Sequence, residues 1–255
     1  MSVEALKFKL YTEAGKTREI LHTENIENHL CAISEELFRE ELEVGSGNFS
    51  KVYQDSEAGL VYKKQKPLTT PKNTVHEEAE FLGELHGASN EVIVPMPIAS
   101  VVADLSRSKD QRKVRQSVLV MQKIDGYSLD RLLPTENEGN AELEFPETFN
   151  VDTFFAALKK FVKTMHDEKG IYHCDLYDRN IMIEKSTGKP VLIDFGEAQR
   201  FFESFVEEGE YDAYGQKVLK DDHGNLIKRR DFDLENLESL EDRVRGYLTR
   251  SSNKV

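Results

Sequence analysis

His173-Cys174-Asp175-Leu176-Tyr177-Asp178-Arg179-Asn180 leads into Ile181-Met182-Ile183-Glu184, a Ser186-Thr187-Gly188-Lys189-Pro190 turn, and then Val191-Leu192-Ile193-Asp194-Phe195-Gly196. An aspartate with an asparagine five places later, and a second aspartate at the end of an apolar strand, is a layout suited to phosphoryl transfer. In it Asp175 orients or deprotonates an acceptor hydroxyl, while Asn180 and Asp194 hold Mg²⁺ against nucleotide phosphates. Mg²⁺ takes oxygen ligands and keeps several waters, so one amide oxygen and one carboxylate suffice from the protein. The turn predicts a hairpin that brings Asn180 and Asp194 to one edge. His173, in apolar company, reads as packing rather than as a base.

Immediately upstream, residues 152–166 predict a helix with Phe154, Leu158, Phe161, Val162 and Met165 on one stripe, ending toward Gly170. Residues 134–147 carry five glutamates and suit a mobile surface insertion. Asp125 to Leu129 reads as a bend into a short helix. Two apolar strands are expected at 92–102 and 117–124. The polar stretch 104–116 between them holds five bases against Asp104 and Asp110, and is read as a solvated hairpin tip rather than a docking patch.

Further upstream, Val44-Gly45-Ser46-Gly47-Asn48-Phe49-Ser50-Lys51-Val52 sits between strand-like segments. Its glycines let backbone amides approach phosphates closely. In the strand Leu60 to Lys64, alternation places Lys63 on the face of the small Val61 and Lys64 on the face of Tyr62. Lys63 is therefore the phosphate-binding candidate, and Lys64 is expected in solvent. A helix is expected from Thr74 to His86. Val75, Ala79, Leu82 and Leu85 form its apolar arc, Glu78 falls inside that arc, and Glu77, Glu80 and Glu84 lie opposite. A buried acid needs a partner, and Lys63 is the natural one. The first 37 residues read as a hairpin (6–10 with 17–21) and a helix capped by Thr23 through Ile26, Leu30, Ile33 and Leu37, a packing extension on the adjoining lobe. Downstream of Gly196, residues 197–230 look irregular and charged. A last amphipathic helix after Asp233 uses Leu234, Leu237, Leu240, Val244 and Leu248.

Composition narrows the classes. At 255 residues and 38% apolar content the chain can bury a core as one domain or two apposed lobes. A net charge of −13 argues against general nucleic-acid binding or attraction to anionic membranes. Cys31 and Cys174 show no ligand spacing and imply neither a disulfide framework nor a zinc site. There is no basic-then-apolar leader and no apolar run near 18 residues, so no membrane span is expected. A cytoplasmic location is the expectation, a host cytosol included if secretion uses no cleaved signal.

Taken in order over roughly residues 38–200, these pieces resemble the protein-kinase-like superfamily. The resemblance implies a bilobal α+β fold: an extension at 1–37, an antiparallel-sheet lobe with one helix at 38–122, and a truncated, mainly helical lobe at 123–255. Val44, Gly45, Gly47, Phe49, Ser50 and Val52 look like its glycine-rich loop, with Ser50 where the third glycine usually stands. Lys63 and Glu78 are similar to its lysine–glutamate pair. Met121 resembles the gatekeeper, with Gln122 and Ile124 as hinge residues whose backbone bonds adenine. The base would be packed by Val52 and Val61 on one side and Met182 on the other. Asp175 matches the catalytic-loop aspartate, Asn180 and Asp194 the metal ligands, and either Asp231 or Asp233 the aspartate that braces the catalytic-loop backbone.

The departures from the pattern also carry implications. Cys174 stands where regulated kinases have arginine, which makes control by loop phosphorylation doubtful. Tyr177 replaces the lysine that Ser/Thr kinases place two residues after the aspartate. No Ala-Pro-Glu follows Gly196, and the remaining 59 residues (255 − 196) imply a reduced lower lobe. The expected function is transfer of the ATP γ-phosphate, with Mg²⁺, to a protein serine or threonine. An activating protein partner is implied too, with 104–116 as the stretch available to it. The alternatives are a sugar or aminoglycoside kinase, which Tyr177 favours, a non-catalytic ATP-binding scaffold, and transfer of AMP in place of phosphate.

Overall fold

The computed structural model describes residues 2–11, 17–19, 42–55, 57–66, 73–106, 113–133, 143–200, 219–220, 226–227 and 232–252. The chain divides into two units, Met1–Ala88 with Val94–Ile124, and Ser89–Ile93 with Asp125–Val255.

In the first unit, β1 (Ser2–Tyr11), β2 (Thr17–Glu19), β3 (Glu43–Ser46), β4 (Ser50–Asp55), β5 (Leu60–Gln65), β6 (Pro97–Ser106) and β7 (Lys113–Gln122) form one antiparallel sheet in the order β2-β1-β6-β7-β5-β4-β3. Helix α1 (Val75–Leu85) packs on β6 and β7. Its start is fixed chemically. The Thr74 hydroxyl accepts from the Glu77 amide while the Glu77 carboxylate accepts from the Thr74 amide, satisfying two donors that every helix end leaves open. Val75, Glu78, Ala79, Phe81, Leu82 and Leu85 are buried; Glu77, Glu80 and Glu84 lie on the more open side, as the 100° periodicity requires.

Two strand expectations are corrected. The strand expected from 92 begins only at Pro97, because Pro95 and Pro97 lack the N–H that a ladder uses. Ile93 instead bonds within the second unit, its N–H to Pro190 O (2.8 Å) and its carbonyl to the Leu192 N–H (2.9 Å). The polar stretch expected as a hairpin tip is strand at both ends: β6 runs to Ser106 and β7 starts at Lys113, with Asp104 opposite Arg115. Polar sequence is held extended there because β6 is an interior strand, laddered to β7 on one side and along β1 on the other, Ser2 facing Ser106. Its tip, like the expected Thr23 helix and most of 134–147, lies outside the described residues.

The second unit is organised on α3 (Val151–Lys169), whose Phe154, Phe155, Leu158, Phe161, Val162 and Met165 are buried. Asn150 caps it by accepting from the Thr153 amide, and Gly170, at φ 61°, ends it in the left-handed region. Helix α4 (Phe232–Ser252) packs against α3 and buries Leu237, Leu240 and Val244; Leu234 and Leu248 are half-buried. Between them in sequence, or just before α3, come β8 (Gly126–Ser128), the short α2 (Leu129–Leu132), β9 (Ile171–Tyr172), β10 (Ile181–Glu184) and β11 (Pro190–Leu192). Strands β11, β10 and β8 form a three-stranded sheet. The region expected to be irregular contains β12 (Gln199–Arg200), paired with β9, and β13 (Leu219–Lys220), paired with β14 (Leu226–Ile227).

Candidate functional site

In the first unit the strand lysine and the helix acid meet. Lys63 Nζ lies 2.7 and 2.8 Å from the two Glu78 oxygens, and the residues are 8% and 3% exposed. A buried ammonium and a buried carboxylate each carry a large desolvation cost, so their pairing is what makes either position tenable. Lys64 departs from its expectation: it is half-buried rather than solvated. Burial, helped by the charge of Lys51, lowers its pKa from the ordinary 10.5. The reason is that both faces of β5 are covered here, Tyr62 also being buried.

The glycine-bearing segment is the β3–β4 hairpin, Gly45 opposite Val52 and Ser46 opposite Lys51. Its turn is closed by Gly47 N–H to Ser50 O (2.9 Å). Lys66 braces it from the next strand, donating its N–H to Phe49 O and its ammonium to Gly47 O (2.5 Å). Val44 and Phe49 are exposed at 52% and 40%. A Cβ added at Gly47 would meet nothing within 4 Å, so the turn itself does not demand glycine there. Met121 is buried opposite Val61, Ile124 is half-buried, and Gln122 is exposed. The Gln122 N–H donates to Met96 O at 2.9 Å.

In the second unit the hairpin of β10 and β11 pairs Ile181 with Leu192, and the Ile193 N–H donates to Asn180 O at 3.1 Å. The two expected metal-holding side chains therefore flank one end of that hairpin. Met182 sits half-buried in β10, opposite Val191 and Ser128. Asn180 Nδ2 donates to the Asp175 carbonyl (2.7 Å) and to Asp175 Oδ2 (2.8 Å). With the amide nitrogen turned toward Asp175, the Asn180 amide oxygen is the atom left to serve a hard cation, and the Asp194 carboxylate is of the same donor class. That oxygen set fits Mg²⁺. Among the described residues no cluster of three or more His, Cys, Asp and Glu has metal-holding geometry. Asp194 itself, at φ 62°, is strained, its carboxylate accepting from the Gly196 amide at 3.3 Å.

His173 is fully buried, its Nε2 donating to Ile193 O (2.9 Å) and its ring against Phe195 at 4.6 Å. Its Nδ1 is buried without a hydrogen-bond partner, and its contacts are those of a packed ring.

The loop is tied to α4 by Asp233. Its Oδ2 accepts from the His173 amide (2.8 Å) and from His166 Nε2 (3.0 Å), and its Oδ1 from the Cys174 amide (2.9 Å). Burial favours the neutral acid. The His166 hydrogen bond, the charges of His173 and His166 and the His173 amide outweigh it and hold the carboxyl below its ordinary 3.8. Those amides pin Cys174 at φ 62°, one of two non-glycine residues with positive φ among the described residues. Of the two candidates for this brace, Asp233 makes the contacts; Asp231 lies outside the described residues. Two contributors were not anticipated. His166 extends the apolar stripe of α3, stacks on Tyr172 at 4.1 Å and supplies the third donor to Asp233. Arg179 bonds Asp175, its Nη2 lying 2.8 and 2.9 Å from the two carboxylate oxygens. Tyr177 and Asp178 add further ties to α4, through Phe232 and Arg243.

Among the described residues no helix is long and apolar enough to cross a membrane. The serine/threonine-protein kinase D of Synechocystis sp. is 28% identical over 167 residues, covering 60% of this chain and 28% of its own length. A probable serine/threonine-protein kinase of Dictyostelium discoideum is 26% identical over 164 residues, covering 64% of this chain and 15% of its own length. The chain thus spans less than a third of either curated relative. The solved structure of the Cydia pomonella granulovirus kinase PK-1 aligns with a TM-score of 0.44 at 15% identity, over 74% of this chain and 62% of that one. The family described as the protein kinase domain matches residues 38–211, more than half of the sequence, and the chain belongs to that family.

Proposed function

We propose that this chain is an ATP- and Mg²⁺-dependent phosphotransferase whose acceptor is a serine or threonine hydroxyl of a protein. The observation that carries the reading is the second-unit loop. Asp175 and Asn180 are joined side chain to side chain, and Asp194 follows Ile193, whose N–H donates to Asn180 O. Lys63, made tenable in a buried position by Glu78, binds the nucleotide phosphates, and the amides of the β3–β4 turn donate to them. Asp175 orients the acceptor hydroxyl and takes its proton as the γ-phosphoryl group transfers. Asn180 and Asp194 hold Mg²⁺, which when bound offsets the charge of the phosphates. Most of the acceleration then comes from positioning and electrostatics rather than from covalent chemistry. The names of the curated relatives support a protein acceptor.

The test is incubation with γ-labelled ATP and Mg²⁺, with protein mixtures in one arm and polar small metabolites in another. Label on protein serine or threonine supports the proposal, and loss of transfer in Asp175→Ala and Asp194→Ala ties it to this loop. Asp194→Ala is also expected to weaken Mg-ATP binding. Wild-type turnover in Asp194→Ala overturns the assignment, and label on metabolites alone moves the acceptor to a small molecule.

A further inference from the structure

Resting on the nucleotide-binding reading above, we infer that Lys66 is a positioning residue for the phosphates. Its ammonium holds the Gly47 carbonyl, and that contact turns the Asn48 N–H of the β3–β4 turn toward an incoming phosphate oxygen. Lys66 stands one residue past β5, whose last pair with β4 sets Gln65 opposite Ser50. From there it reaches the turn twice. Its own N–H donates to Phe49 O at 2.7 Å, and its Nζ donates to Gly47 O at 2.5 Å. Because the Phe49 bond continues the ladder, strand alternation extends to Lys66. Lys63 takes the face that meets Glu78 of α1; Lys64 and Lys66 take the other. Lys66 therefore draws the Gly47 carbonyl toward the face opposite the phosphate-binding lysine.

Planarity converts that contact into a direction. The C=O and N–H of a trans peptide point opposite ways, and no peptide bond among the described residues is cis. With its carbonyl held on the Lys66 side, the Gly47–Asn48 peptide presents the Asn48 N–H on the Lys63 side. That N–H makes no hydrogen bond among the described residues, whereas the Gly47 N–H is spent inside the turn on Ser50 O at 2.9 Å. Sterics do not fix the peptide. A Cβ built at Gly47 meets nothing within 4 Å, so the glycine is free to flip and turn a carbonyl to the phosphate side.

The two orientations have opposite consequences for an anion. A carbonyl facing a phosphate repels it, and an N–H in the same place donates to it. The ammonium depletes the repelling form before nucleotide arrives, so ATP does not have to turn the peptide as it binds. Lys63 meets the phosphates directly. Lys66 acts through the backbone, and it bears on the phosphates and not on the base.

Calorimetry on the full chain with Mg-ATP and with adenosine reads the result, because adenosine keeps the base and ribose and lacks the phosphates. Lys66→Met keeps the stem and loses the donor. It is expected to raise the Kd for Mg-ATP about tenfold, the scale of one charge-assisted hydrogen bond lost from a surface turn, and to leave the Kd for adenosine within about twofold. Lys66→Arg keeps a cationic donor and should return Mg-ATP affinity to within about twofold of wild type. Because the contact lies at the surface, both variants should unfold at the wild-type midpoint. Wild-type Mg-ATP affinity in Lys66→Met overturns the inference. An equal loss for Mg-ATP and adenosine overturns it as well, since that marks a general disturbance of the sheet. A chain that shows the expected affinities and transfers no phosphate removes the phosphotransferase reading and leaves the role of Lys66 standing. A wild-type chain that binds no Mg-ATP removes both.

Discussion

Replacing Asp233 by alanine should unfasten the catalytic loop from α4. The carboxylate accepts from two backbone amides, at 2.8 and 2.9 Å, and from His166 at 3.0 Å, and is 2% exposed. Alanine leaves three buried donors unsatisfied. At about 1–3 kcal/mol for each lost partner, reduced by local relaxation and water entry, the expected loss is roughly 3–5 kcal/mol. Asparagine keeps one acceptor but turns an NH₂ toward an N–H, so it should lose roughly half as much. Strain supplies an internal control. Cys174 is held at φ 62° by one of those amides, and glycine adopts that conformation without penalty, so Cys174→Gly should recover part of the loss, about 1 kcal/mol.

The chain has no tryptophan, so urea unfolding is followed by far-UV circular dichroism, with amide hydrogen exchange at residues 173–175 as the local readout. The pH dependence derives from the depressed carboxyl of Asp233. A depressed pKa contributes stability that is fully present above the unfolded value, 3.8, and is lost as pH falls through the folded value. The gap between wild type and Asp233→Asn should therefore narrow as pH falls below 3.8. Asp233→Ala within about 1 kcal/mol of wild type, with loop amides equally protected, would refute the reasoning.

Two further outcomes test the first unit. Lys63→Met strands the Glu78 carboxylate in a buried position and should cost about 3–5 kcal/mol, whereas Lys63→Met with Glu78→Leu should recover most of that stability and no transfer. A phosphotransfer assay that finds the double variant active would show the pair to be structural only. Gly47→Ala should leave the unfolding midpoint unchanged, because its Cβ meets nothing within 4 Å, yet weaken ATP binding by obstructing the backbone's approach to phosphate. Equal ATP affinity, measured by calorimetry, counts against the phosphate-cradle role of the turn.

What could be read from the sequence was local and periodic. Lys63 was separated from Lys64 by strand alternation alone, and Glu78 from three other glutamates by helical periodicity alone. Both choices meet in one ion pair, Lys63 Nζ against the two Glu78 oxygens. The hairpin that sets Asn180 and Asp194 at one edge was likewise written in a turn between two apolar runs. Alternation misled at Lys64, because that rule assumes one wet face and β5 has none. Polarity misled at 104–106 and 113–116, where main-chain bonding to strands on both sides outweighs side-chain preference.

The residues that escaped share a different property: their meaning is set by partners distant in sequence, or by direction rather than position. His166 is one more member of a buried stripe until α4, 67 residues later, brings a carboxylate to it. Asp233 could be suspected beforehand but not distinguished from Asp231, since choosing between them requires the phase of α4 relative to the catalytic loop. Arg179 lies four residues from Asp175, close enough to be seen, yet spacing says nothing about how a guanidinium divides its nitrogens: Nη2 alone spans both carboxylate oxygens, where a fork-to-fork pair would have used both arms.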